Sequence, residues 1–249
     1  MLHNYPNKHD TKLILDGFKY GIKLNYTGLR LPQEYGNLLS VKQNPSAAIN
    51  KLKNEIDLGR MAGPFDYRPI SNLRCSPIGL VPKRTGGLRL ITHLSYPKLF
   101  SVNDHIDETY TKVLYSSFDN VVTMIQKLGK NTLLAKMDIK SAFRLLKVYP
   151  GDFDLLEIKV LDKYYIDKYM PMGCSISCSS FEKCSTFLHW AVQYESKSNN
   201  LDHYLDDFLF AGEEKTQACQ NLRTCFENIC IKLGVPIASE KNRRSMYRH

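Results

Sequence analysis

Apolar positions recur along this chain at two periods, and the switches between them mark out its elements. Residues 1–40 are weakly patterned, with isolated clusters such as Leu13-Ile14-Leu15, and read as a lead segment draped over the rest. Helical spacing begins at Asn44-Pro45, where Asn suits a cap and Pro the first helical position. Ala48, Ile49, Leu52 and Ile56 then share one face, and Gly59 ends it. Residues 61–76, with Gly63-Pro64 and Arg68-Pro69, read as loop. In Ser76–Ile91 two apolar runs flank Thr85-Gly86-Gly87, which predicts a hairpin with a three-residue loop. Centring the turn on Gly86 sets Lys83 directly opposite Arg89.

Beyond an irregular connection at Asn103-Asp104, Val121, Val122, Ile125 and Leu128 predict a helix capped by Ser117 or Asp119 and closed by Gly129. Thr132–Ile139 reads as a strand with Asp138 near its exit, and Ser141–Leu146 as a turn or short helix. Leu156, Ile158, Val160, Tyr164 and Ile166 predict a second hairpin around Leu161-Asp162-Lys163. Pro171-Met172-Gly173 is a hinge, and the serines of 175–180 can cap the helix that follows. Phe181, Cys184, Ser185, Leu188 and Val192 give that helix an apolar stripe suited to core packing. Residues 201–212 predict a third hairpin with Asp206-Asp207 at or near its turn. A last helix opens near Glu213 and ends at Gly234 and Pro236.

Composition narrows the function. A chain of 249 residues buries a core as one large domain or two modest subdomains. Hydrophobic and charged fractions of 43% and 24% are those of a soluble globular protein. The net charge of +9 and pI near 9.1 point to a polyanionic partner, most often nucleic acid. Seven cysteines with no Cys-x-x-Cys spacing suggest buried free thiols in a reducing compartment rather than disulfides or zinc ligands. The N-terminus lacks a signal peptide's apolar core and no run approaches a membrane span, so an intracellular location, cytoplasmic or nuclear, and no membrane partner are expected.

Three features carry candidate chemistry. Asp206-Asp207 sets two like charges side by side between apolar runs, which a divalent cation would favour and which ordinary turn chemistry also explains. Asp138 at a strand exit reads as a third ligand or as a cap. Lys83 and Arg89, facing across a hairpin, invite an anion such as a triphosphate or splay into water.

The ordered set of motifs resembles the fingers and palm of a reverse transcriptase, over roughly residues 45–245. Ser76–Arg89, Leu94-Ser95-Tyr96-Pro97 and Ser101-Val102-Asn103-Asp104 are worded like the tyrosine-recombinase (DIRS/Ngaro-like) retrotransposons. Met137-Asp138-Ile139-Lys140-Ser141-Ala142-Phe143 resembles the first catalytic motif, and Pro171-Met172-Gly173 the second. Tyr204-Leu205-Asp206-Asp207 resembles the third, and Leu233-Gly234 through Lys241 the fourth. The second motif departs from the usual pattern at Met172 and Cys178.

The resemblance implies an α+β right-hand palm, an antiparallel sheet with the aspartates at one end and helices on one face, plus fingers. Fingers are expected from 41–105 and 146–176, palm from 106–145 and 177–249, with the thumb absent. It implies RNA-directed DNA polymerase activity, a nucleotidyl transfer from dNTP to a primer 3′-OH on an RNA or DNA template. The alternative is a truncated or co-opted fragment that binds nucleic acid without catalysis. Asp138, Asp206, Asp207 and the carbonyl of Ile139 would hold two Mg²⁺ ions, with Mn²⁺ as a substitute. Lys83, Arg89 and Gly173 would contact the nucleotide, Phe143 would gate its sugar, and Lys241 would protonate pyrophosphate.

Overall fold

A computed structural model describes residues 1–83 and 86–238, and the backbone of 247–248. In chain order the first elements are α1 (Lys8–Tyr20), β1 (Gln33–Glu34), α2 (Leu39–Gln43), α3 (Pro45–Asp57), β2 (Met61–Phe65), β3 (Arg74–Cys75), β4 (Ile78–Pro82) and β5 (Leu88–Thr92). Then come α4 (Phe118–Leu128), β6 (Leu133–Asp138), β7 (Glu157–Val160), β8 (Lys163–Asp167), α5 (Ser175–Ser196), β9 (Leu201–Tyr204), β10 (Asp207–Gly212), α6 (Ala218–Leu233) and β11 (Tyr247–Arg248). The mixed α+β architecture agrees with the expected class. Two compact units emerge, one of residues 1–14, 113–142 and 180–249, the other of 15–112 and 143–179. No helix among the described residues is long and apolar enough to cross a membrane.

The first unit is built on an antiparallel sheet of order β11-β6-β10-β9. Alternation along β10 turns Phe208 and Phe210 inward, and both are fully buried against Phe226 of α6, with ring centroids 4.5 and 5.4 Å away. Leu222, Ile229 and Cys230 complete the buried face of α6, whose helical spacing the sequence displays. Ser117 caps α4 by accepting from Asp119 N, and Gly129 ends it at φ +86°. Gly234 closes α6 in the left-handed region. This helix starts at Ala218, not near Glu213, because residues 213–217 turn first, with Lys215 at φ +62°.

The second unit holds a five-stranded sheet, β1-β3-β7-β8-β2, and the separate β4-β5 hairpin. Val41, Ala48, Leu52, Ile78, Leu80, Ile158 and Val160 share its core. Three expectations need correction here. Residues 61–65 are a strand, not loop, since β2 pairs with β8 despite its Gly63-Pro64. The β4-β5 register sets Val81 opposite Arg89 and Pro82 opposite Leu88, and Lys83 N donates to Gly87 O at 3.0 Å. The hairpin is therefore centred one residue earlier than expected, and Lys83 meets Arg89 diagonally on one face rather than directly. Finally, the serines of 175–180 lie inside α5 instead of before it. Two of their hydroxyls bond backbone carbonyls there, Ser177 Oγ donating to Pro171 O at 2.9 Å and Ser179 Oγ to Tyr110 O.

Candidate active site

β6 ends at Asp138, and β10 begins at Asp207, its direct register partner. Tyr204 pairs with Asp207 on the other side, so Leu205 and Asp206 form a two-residue turn, with Leu205 at φ +52°. The pair of acids therefore divides, Asp206 in the turn and Asp207 on the strand. Directly opposed residues on one sheet face stand about 5 Å apart at Cβ, so Asp138 and Asp207 repel at close range. Ile139 N donates to Asp206 O at 2.9 Å and pins the turn to the end of β6. Lys140 N to Pro236 O and Ala238 N to Asp138 O, both 2.8 Å, brace the other side.

The electrostatics are those of crowded carboxylates. Asp138 is 5% exposed, and a hydrogen bond links its carboxyl to that of Asp206, which requires a proton between them. Burial first, then that hydrogen bond and repulsion from Asp138 and Asp207, push Asp206 up to about 6. Asp207 Oδ2 pairs with Lys136 Nζ at 2.8 Å, while its Oδ1 is buried without a hydrogen-bond partner. An all-oxygen donor set with one orphaned buried oxygen and a raised pKa fits a hard divalent cation, which would reverse the sign of every repulsion listed by these geometries.

The remaining sequence-derived residues lie in the second unit, except Lys241, which lies outside the described residues. Lys83 and Arg89 are exposed, and neither has an ion-pair partner among the described residues. Phe143 is half-buried in a 3₁₀ turn, Ala142–Leu145, reached through Ser141 at φ +65°, a costly conformation outside glycine. Gly173 adopts φ +101°, and a Cβ there would stand 2.4 Å from Thr92 O, so no other residue fits.

Two residues escaped the sequence reading. Asn103 holds the hinge, donating to Gly173 O at 2.7 Å and accepting from Ser175 N at 2.9 Å. Lys136 neutralises Asp207, and period two on β6 offered that signal, because residues 136 and 138 share a face.

Comparison with known proteins agrees with this geometry. Relatives include the Tf2-3 and Tf2-7 transposon polyproteins of Schizosaccharomyces pombe, each 22% identical over 215 residues, 86% of this chain and 14% of theirs. The chain thus spans about one seventh of the curated relatives it matches. Among solved structures, a prototype foamy virus protease-reverse transcriptase superposes with a TM-score of 0.64 at 18% identity, over 86% of this chain and 26% of that one. The foamy viral protease-reverse transcriptase in complex with double-stranded DNA gives 0.62 at 14% identity, over 100% of this chain and 51% of that one. The family model for reverse transcriptase (RNA-dependent DNA polymerase) matches residues 81–247, more than half of the chain. The chain belongs to the reverse transcriptase family.

Proposed function

We propose that this chain is the catalytic core of a retrotransposon RNA-directed DNA polymerase, extending a primer 3′-OH with dNTP on an RNA or DNA template. The observation that carries the reading is the convergence of Asp138, Asp206 and Asp207 at one end of an antiparallel sheet. The unit bearing these acids is assigned as palm and the other as fingers. The wording of Ser76–Arg89 and Ser101–Asp104 supports a source among DIRS/Ngaro-like elements.

Asp138 and Asp206 would ligate two Mg²⁺ ions, or Mn²⁺, with Asp207 and the Ile139 carbonyl in support. When bound, such ions neutralise phosphate charge and activate the 3′-oxygen. The protein's own part is to fix three carboxylates at the strand ends and the turn between them. Lys83 and Arg89 offer two unpaired cations on one hairpin face for a triphosphate, Arg as a bidentate donor. Gly173 permits close backbone approach, Phe143 would exclude a ribose 2′-OH, and Lys241 would supply a proton to pyrophosphate. The net charge of +9 suits a primer–template partner held by phosphate contacts.

Primer extension on an RNA template with dNTP and Mg²⁺ tests the reading. Asp206→Asn should lower incorporation at least about a hundredfold. Equal incorporation by both proteins rejects the site. Salt-dependent binding of primer–template by a wild type without turnover leaves the non-catalytic alternative.

A further inference from the structure

Behind the aspartate turn lies a second polar cluster that the polymerase chemistry does not use. His189 of α5 and His203 of β9 place their Nδ1 atoms 2.8 Å apart. Asp202 joins them, and one ligand atom from each of the three lies within 4.8 Å of the others. Asp202 is buried, and it is held by Ser116 Oγ on Oδ2 and by His203 N on Oδ1, both at 2.7 Å. The His203 ring stacks on the buried Phe208 at 5.3 Å, so its orientation is set by the core.

The opposite edge of His203 faces a carboxylate. Nε2 stands 3.2 Å from Glu182 Oε1, out of line for a good hydrogen bond, with both side chains less than a tenth exposed. Glu182 Oε2 is buried with no hydrogen-bond partner. A carboxylate on that side favours the Nε2–H tautomer, which makes Nδ1 the ligating nitrogen, as outer carboxylates do around metal-bound imidazoles. Two imidazoles and one carboxylate thus each bring a ligand atom within 4.8 Å of the others.

We propose that His189, His203 and Asp202 form a Zn²⁺ site, with water as the fourth ligand, that ties α5 to the strand leading into the Asp206 turn. The donor set of two nitrogens and one oxygen suits zinc and disfavours Mg²⁺, the reverse of the three-aspartate site. Zinc–nitrogen distances of about 2.0–2.1 Å in a tetrahedron require the two Nδ1 atoms to part by roughly half an ångström, within side-chain adjustment. The role is positional. Zinc would hold β9 against α5 and so fix one strand of the hairpin that carries Asp206 and Asp207.

Titration of the metal-stripped protein with Co²⁺ tests this directly. The expected result is a tetrahedral visible spectrum saturating near about one equivalent, abolished by Zn²⁺ but not by Mg²⁺, and a melting temperature raised by Zn²⁺. His189→Gln, at a half-buried position where folding should survive, should weaken Co²⁺ binding at least about tenfold. Asp206→Asn should leave the spectrum intact, which separates this site from the catalytic one. A folded wild type without the spectrum or the melting shift overturns the proposal, and the cluster is then a hydrogen-bonded imidazole pair. Equal Co²⁺ binding by His189→Gln overturns it as well.

Discussion

Both units bury carboxylates, but they treat them in opposite ways. In the second unit Arg144 bridges Glu55 at 2.8 Å and Asp167 at 2.7 Å, and its guanidinium also donates to Tyr169 O. Arg30 pairs with both Asp152 and Asp154, and Asp152 accepts from Leu24 N. Each of these four acids has an arginine and a structural job, tying segments distant in sequence. In the first unit Asp138, Asp206 and Asp207 crowd against one another, and Lys136 pairs with Asp207. Acids matched one by one with protein charge hold a fold together, whereas acids crowded against other acids are set for a ligand.

The strongest way to break that contrast is Arg144→Met. It takes the arginine from Asp167, 5% exposed, and leaves the half-buried Glu55 with Arg60 at 3.7 Å, and should cost about 3–5 kcal/mol of unfolding free energy in urea titrations. A loss below about 1 kcal/mol would mean that the network is ornamental and that matching does not mark structure.

Glu157 is the exception that sharpens the rule. It lies in the arginine-rich unit, yet it is fully buried and neither oxygen has a hydrogen-bond partner. Burial, then repulsion from Asp154, pushes it up to about 8, so at neutral pH it is protonated. Its folded pKa exceeds its unfolded one. Stability from this group is therefore complete below about 4.5 and is lost as pH rises through about 8. Glu157→Gln keeps the neutral shape and should flatten that decline, a gain of about 2–4 kcal/mol at pH 9 that vanishes near pH 4. Parallel pH–stability curves for the two proteins would show that Glu157 is ionised and paired after all.

How much of this contrast can be read from sequence depends on how local each feature is. The Asp206 hairpin was legible because alternation and a tight turn lie within twelve residues, and α4 because Ser117 and Gly129 bracket its stripe. The β2 strand was not, since Gly63-Pro64 reads as a break and its partner β8 lies about a hundred residues on. The β4-β5 register slipped because a three-residue loop can begin at Arg84 or at Thr85 with equal chemistry. Arg144, Glu55 and Asp167 meet only through the fold, as do His189 and His203. Pairing across such distances leaves no periodic signature, so the sequence reveals acids clustered by a hairpin more readily than acids paired across the fold.

Asp206→Asn probes the same balance at the site itself. Because Asp206 is raised to about 6, above its ordinary value, it favours the protonated form when folded and weakens the metal-free protein at higher pH. The variant should be more stable than wild type at pH 8 by about 1 kcal/mol, the shift being reduced by solvent screening, and no more stable at pH 4. Wild-type polymerisation should decline as pH falls through about 6, as the carboxylates take up protons. An active enzyme with an unchanged rate at pH 5 would place Asp206 outside the metal set.

Lys136→Ala gives the smallest effect and the finest test. Lys136 Nζ and a divalent cation compete for Asp207, and both partners are at least a third exposed. Removing an ammonium from so solvated a pair changes stability by under about 1 kcal/mol. It also deletes the cation paired with Asp207, so Mg²⁺ should bind a few-fold more tightly. The magnesium dependence of primer extension would then shift to lower concentration without a rise in the maximal rate. A shift to higher concentration would mean that Lys136 orders Asp207 for the metal instead of competing with it, and that crowding of acids alone does not define this site.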